Sequence, residues 1–248
     1  EVRRVHHPAW SLYEALGSVA RSMSEREQLA APVSVLDSYQ GALDILQQAG
    51  LIVASGPKLA LMHESLFDYL HARSFIAEGK SLQAFLLQSE QTLFRRTQVR
   101  QILSQQRDID RNSYLSDLRF IILDGRVRAH VRDLVLKWLA TIPDPSFDEW
   151  NLVLTSCAAG SAVPRDTGRV IFGNKGWLLL LDAQGILDTW LAVEGDDDLF
   201  WALYAVEELA KTSEDNAARV LSRLLDRRPE KAELVLRRFI WFQPDRPM

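Results

Sequence analysis

The side chains best suited to chemistry in this chain are few, and one pair stands out. His63 and Glu64 lie in "LALMHESLFDYLHARSF", residues 59–75, between a short apolar run and a longer one with helical spacing. A zinc protease needs H-E-x-x-H, which sets two imidazoles one helical turn apart with the glutamate as base. Phe67 holds the place of the second histidine and His71 lies a further turn on, so the spacing excludes that metal site. His6 and His7 are adjacent with no Cys or Asp nearby, and His130 stands alone in a charged stretch. Cys157, the single cysteine, sits in "TSCAAGS" with no neighbouring base, and no G-x-S-x-G elbow occurs. Cys157 is therefore read as a small buried residue. No catalytic residue and no metal ligand is assigned, and the chain is read as not itself an enzyme.

Nucleotide phosphates need a different device, a G-x-x-x-x-G-K-[ST] loop, and the chain has none. "FGNKGW" at 172–177 has two glycines and a lysine, but no Ser or Thr follows the lysine and the spacing is wrong for a phosphate cradle. No cofactor is expected on this polypeptide alone.

Elements must position whatever site exists, and composition bounds them. Of 248 residues 47% are hydrophobic and 25% charged, enough for one large or two modest cores. The net charge of -4 argues against a general polyanion binder. One cysteine rules out a disulfide framework, which makes a cytoplasmic site the expectation. No run of about 18 apolar residues predicts a membrane span, and "EVRRVHHPAW" is not a signal peptide. The chain starts on Glu1 rather than Met, which is read as a piece of something longer.

Helix signals dominate. "SLYE" at 11–14 has the form of a capping box, and Leu12, Leu16, Val19 and Met23 follow as one apolar stripe. A second helix is expected at about 34–39, and a third carries Ala42, Ile45, Leu46 and Ala49 and stops at Gly50. "LIVASGPKLALM" then reads as a hairpin around Ser55-Gly56-Pro57. Ser65 and Asp68 form another S-x-x-D cap, opening a helix that ends at Gly79. Three helices, a hairpin and a following helix make a winged-helix domain over residues 1–80. DNA reading is not expected of it, because no Lys or Arg occurs from Glu27 through Pro57. A recognition helix carrying Asp37, Asp44, Gln47 and Gln48 would meet phosphate with the wrong sign.

"LMHESLFDYLHARSF" also resembles the end of the winged-helix domain in STAND-class NTPases, the NACHT and NB-ARC signalling ATPases. Met62-His63-Glu64 is similar to their Met-His-Asp motif, with Glu in the third place. Phe67-Asp68-Tyr69-Leu70-x-Ala72-Arg73 resembles the helix that follows it in bacterial NACHT-like proteins. The likeness covers roughly residues 10 to 80. It implies that His63 hydrogen-bonds the β-phosphate of ADP in the resting state, with the ATPase domain lying N-terminal in the same chain. ADP or ATP would then belong to the full-length protein, and a signalling or antiviral-defence role would come with the family. Glu64 for Asp lengthens the arm and leaves its family role less secure. The alternative for His63 is a core or cap histidine at a strand–helix junction. Asp68 and Arg73 are read as structural, through the cap and a surface pair.

From residue 81 to 248 helix follows helix, with breaks at "PDPS" and "GSAVPRDTG". "LVLKWLATIPDP" at 134–145 echoes "LVLRRFIWFQPDRP" at 234–247, and Trp138, Trp190 and Trp241 stand 52 and 51 residues apart. A period near 50 predicts a mainly α chain whose second domain is a solenoid of degenerate HEAT-like hairpins, its tryptophans packing between helices. Between Arg95 and Arg132 nine arginines face four aspartates. Arg95, Arg96, Arg100 and Arg107 are the candidates to bind a protein or nucleic-acid signal, against the alternative of solvated helix faces. Acidic residues 194–198 lack the spacing of a calcium loop and read as charge at a helix start. Two functions remain open: the regulatory half of a STAND ATPase, and a freestanding helical-repeat scaffold.

Overall fold

The structure, a computed structural model, describes residues 8–88, 90–155, 171–192 and 196–239. His6, His7, Cys157, Trp241 and the "GSAVPRDTG" segment lie outside these residues. The described chain is mainly α-helical, with one small three-stranded sheet. It divides into two compact units, residues 1–117 with 126–131, and residues 118–125 with 132–248.

In the first unit α1 (Pro8–Glu25) opens on a proline, whose missing N–H is no loss in a first turn. It starts ahead of Ser11, which therefore lies inside the helix rather than at the expected cap. Ala15, Val19 and Met23 form its buried stripe. After it Glu27 adopts φ 50, a left-handed backbone that residues with a side chain rarely accept. Strand β1 (Ala31–Pro32) leads into a 3-10 turn, Val33–Leu36, not the α-helix expected over 34–39. Between Pro32 and Gly41 the backbone closes bonds three residues apart, Asp37 N–H to Ser34 and Tyr39 N–H to Leu36, so no α-helical turn propagates. Helix α2 (Ala42–Gln48) is closed by Gly50 at φ 67.

Strands β2 (Ile52–Ser55) and β3 (Lys58–Leu61) form the expected hairpin, with Ser55 opposite Lys58 and Ile52 opposite Leu61. Gly56 takes φ 57 in the two-residue turn, a value that suits a residue without Cβ. β1 pairs with β3 on its other edge, giving the order β1-β3-β2, all antiparallel. One hairpin face turns Ile52, Leu59 and Leu61 into a core with Met23, Leu36 and Leu46.

Helix α3 (Glu64–Ala77) is the centre of this unit. It buries Phe67, Asp68, Leu70, His71, Ala72 and Phe75, an arc of about 200° at 3.6 residues per turn. A stripe that wide needs partners on several sides, and it has them in α1, β3 and α5 (Leu93–Ile109). Gly17 lets α1 come close: a Cβ there would stand 3.3 Å from the Ser74 hydroxyl. Short helix α4 (Leu82–Gln88) follows α3, and Phe85 meets Phe75 edge-on at 5.3 Å. The first unit thus runs past residue 80, because α4 and α5 are packed on the helix that ends there.

Helices α6 (Arg111–Leu123) and α7 (Ala129–Leu139) carry the chain onward. The second unit continues through α8 (Phe147–Thr155), α9 (Lys175–Ala183), α10 (Ile186–Leu191), α11 (Asp196–Thr212), α12 (Glu214–Arg227) and α13 (Ala232–Phe239). Its core is aromatic. Trp150 and Trp177 are fully buried, 6.2 Å apart, and Trp190 lies 5.7 Å from Trp150 and 5.8 Å from Phe172. Trp138 is only half-buried, so the spacing that equates it with Trp190 does not give the two equivalent places. α11 opens at Asp196, which puts residues 196–198 in its first turn.

A true capping box sits at Ser146–Glu149, just after the "PDP" break. Glu149 Oε2 accepts from the Ser146 N–H at 2.6 Å, and Ser146 Oγ accepts from the Glu149 N–H at 3.4 Å. "FGNKGW" is structural too. Asn174 caps α9 by accepting from the Gly176 N–H at 2.7 Å. A Cβ at Gly176 would run into the Pro143 backbone carbonyl, which has no room to yield. Gly176→Ala is therefore expected to cost about 2–3 kcal/mol through overpacking. Gly125→Ala, whose Cβ would meet nothing within 4 Å, should stay within about 0.5 kcal/mol. Urea midpoints of the two variants check the contrast.

Candidate functional site

His63 is the N-cap residue of α3, with extended backbone at φ -128, ψ 135. Its side chain makes no capping hydrogen bond and is exposed. It stands at the end of the hairpin face that points away from the core. There Val53 and Met62 are each 47% exposed, beside half-buried Ala60. Met62 N–H donates to Leu51 C=O, which extends the pairing up to the motif. The result is an exposed imidazole flanked by apolar surface, with the Glu64 carboxylate also exposed beside it. Ser65 does not cap α3, since the helix begins one residue before it.

On α2, Asp44, Gln47 and Gln48 are exposed, and no cation lies among them. That surface is the wrong one for a phosphate backbone.

The arginine candidates divide. Arg95 is 9% exposed, and its guanidinium is engaged inside the first unit. Nε donates to Glu27 at 3.0 Å and Nη1 to Ser24 at 3.3 Å and Gln98 at 3.4 Å, while Cζ lies 4.6 Å over the Phe85 ring. That geometry makes it a packing residue, not part of a partner-facing row. Arg96, Arg100 and Arg107 are half-buried on the same helix, and the buried Arg96 Nε has no hydrogen-bond partner. Arg73 stands over the Tyr13 ring at 4.9 Å and donates to the Tyr69 hydroxyl at 3.0 Å, so its surface pairing is with aromatics.

Two polar residues of α3 that were not read as site residues are buried. Asp68, expected in a cap, is 6% exposed and its Oδ1 has no partner. Burial, helped by Glu64 one turn before, lifts its carboxyl to about 6 against the pull of Arg100. His71 is 8% exposed among Phe67, Phe75 and Phe85, with Nδ1 buried and unpartnered. Burial first, then Arg95 and Lys80, push its imidazole from 6.5 down to about 4, with Glu78 opposing. His71 lines a cavity of about 350 Å³ that also touches Arg21, Ser24, Phe75, Lys80 and Arg95. Ser24, His71 and Arg95 come from three helices, so no local spacing could have revealed the group.

Among the described residues no cluster of three His, Cys, Asp or Glu is placed to hold a metal, and no helix is long and apolar enough to cross a membrane. In comparisons with known proteins, no family model, no curated protein and no solved structure matches the chain.

Asp68 and His71 make opposite contributions to stability below neutral pH. Between 6.5 and about 4 the unfolded chain takes up the His71 proton and the folded chain does not. The His71 contribution is therefore complete above 6.5 and is lost as pH falls toward 4. Asp68 keeps a proton in the fold that the unfolded chain has released, so its contribution is full below 3.8 and is lost as pH rises through about 6. Burial raises Asp117 as well, with the same sign as Asp68. Asp68→Asn should steepen the rise of stability across this window, and His71→Gln should turn the rise toward a fall. Each slope changes by at most about 1.4 kcal/mol per pH unit. Urea midpoints taken from about pH 4 to about pH 6.5 measure both slopes.

Proposed function

We propose that this chain is the regulatory region of a STAND-type ATPase, with a winged helix that locks an ADP-bound resting state and helical repeats that bind a signal. The observation that carries it is His63, an exposed, uncapped imidazole at the strand–helix junction that the Met62-His63-Glu64 resemblance marks. The element order supports the first half: α1, β1, a one-turn 3-10 helix, α2, the β2–β3 hairpin and α3. In a winged helix the hairpin is the wing. Its outer apolar face, with Val53 and Met62, is then the surface an ATPase domain preceding this chain would cover. An imidazole N–H aimed at such an interface donates to a β-phosphate oxygen, and protonation strengthens the bond.

The second half is a solenoid of degenerate helical hairpins. Consecutive α9, α10, α11 and α12 pack on their sequence neighbours, as quasi-one-dimensional folds do. The signal is a protein or nucleic acid; Arg96, Arg100 and Arg107, half-buried on α5, belong to the first unit and not to these hairpins. Catalysis resides in the ATPase domain, not in this region.

His63→Ala in the protein that includes the ATPase domain is expected to weaken ADP by about ten- to a hundredfold, the loss of one charge-assisted bond of roughly 1.5–3 kcal/mol. The same change should leave the urea midpoint of the 248-residue chain where it was. Unchanged ADP affinity would overturn the sensor role and leave the scaffold reading in its place. Isothermal titration of ADP into both proteins decides between them.

A further inference from the structure

We propose that the cavity lined by α1, α3, α4 and the start of α5 is a binding site for a small organic anion, a carboxylate or phosphate monoester carried on a planar apolar body. Its volume of about 350 Å³ lies in the range of small-molecule sites. Phe75 and Phe85, edge to face at 5.3 Å, supply an aromatic wall.

The interior presents donors. Ser24, 4% exposed, accepts from Arg95 Nη1 and from Gln98 Nε2 at 2.9 Å. With both lone pairs used, its own O–H remains to be donated. Arg95 commits Nε and Nη1 to the fold, and its Nη2 has no partner among the described residues. The His71 ring lines the cavity as well, while its Nδ1 is closed off from solvent and unpartnered.

Of the acids at or beside the cavity, Glu78, Glu27 and Glu25, the first two are already paired. Glu78 takes Arg21 at 2.6 Å and Lys80 at 2.7 Å, so one carboxylate serves two cations at the rim. Glu27 is held by Arg95. Glu25 is exposed on the outer lip. A cation entering would meet Arg95 at the bottom, whereas an anion meets N–H and O–H groups. Burial is the main cause of the depressed imidazole of His71, and Arg95 and Lys80 add to it against Glu78.

The test uses the 248-residue chain with the His71 ring followed by NMR. Phenyl phosphate and benzoate should shift the His71 signals saturably, with Kd on the order of 1 mM, and move its pKa upward. Inorganic phosphate, which lacks the apolar body, should bind at least about tenfold more weakly. Benzylamine should leave the ring signals in place. Ala84→Phe, which fills the cavity from α4, should abolish the shifts. Arg21→Gln, on the exposed rim, should weaken both anions by about two- to fivefold and remains informative if the Phe variant does not fold. The proposal is overturned if neither anion shifts His71 at about ten times the expected Kd, if benzylamine acts equally, or if both variants bind like the parent.

Discussion

The first unit depends on one buried cation. A guanidinium taken out of water must be paired on most of its N–H groups or it destabilises the fold by several kcal/mol. Arg95 meets that demand with Glu27, Ser24 and Gln98, and lays its plane over Phe85. These partners belong to the end of α1 and the turn after it, to α4 and to α5 itself. Glu27 is held in its left-handed backbone by two donors, Arg95 and the Thr92 hydroxyl at 3.2 Å. The geometry of that turn in turn sets where the chain enters β1. Because the cation ties α1 to α5, α3 is gripped between them and buries a face too wide to be wholly apolar.

The second unit is organised by another force. Its centre is the Trp150, Trp177 and Trp190 group, where large area and tilted ring packing supply the stabilisation. Not every polar group there is paired: the buried Trp150 Nε1 has no hydrogen-bond partner. Trp177 Nε1 donates to the Leu139 carbonyl at 2.8 Å, and fully buried Glu149 is used by its own helix cap. Arg223 joins Asp182 and Asp188 at 3.3 and 2.9 Å, fastening α12 to α9 and α10. The Trp177 and Arg223 bonds join residues 35–41 positions apart and so link helices that are not adjacent in sequence.

Both proposals meet on α3. His63 stands outside at its first cap, and His71, two turns on, points inward among phenylalanines. The same side-chain type thus sits in two dielectric settings on one helix. The outer ring is open to solvent, while the inner one is kept neutral with its Nδ1 unpartnered beside a cavity. Helical geometry helps separate them, since eight residues leave a side chain about 80° round from its starting azimuth and about 12 Å further along the axis.

Local signals were legible wherever local physics decides. The hairpin around Gly56-Pro57, the stop of α2 at Gly50, the α1 stripe through Val19 and Met23 and the helix start at Asp196 all follow from turn chemistry or from the 3.6-residue period. Caps were less readable: of the S-x-x-[DE] patterns at Ser11, Ser65 and Ser146, only the last is used as a cap. Whether a serine caps depends on where the helix begins, and packing can add a turn ahead of it. The 3-10 turn at Val33–Leu36, the unlike places of Trp138 and Trp190, and the boundary of the first unit beyond residue 80 are tertiary outcomes. So are the burials of Arg95, Asp68 and His71. Charged and polar residues enter a core only when distant elements supply their partners or close over them, and residues 24, 27, 71 and 95 meet through folding, not through spacing.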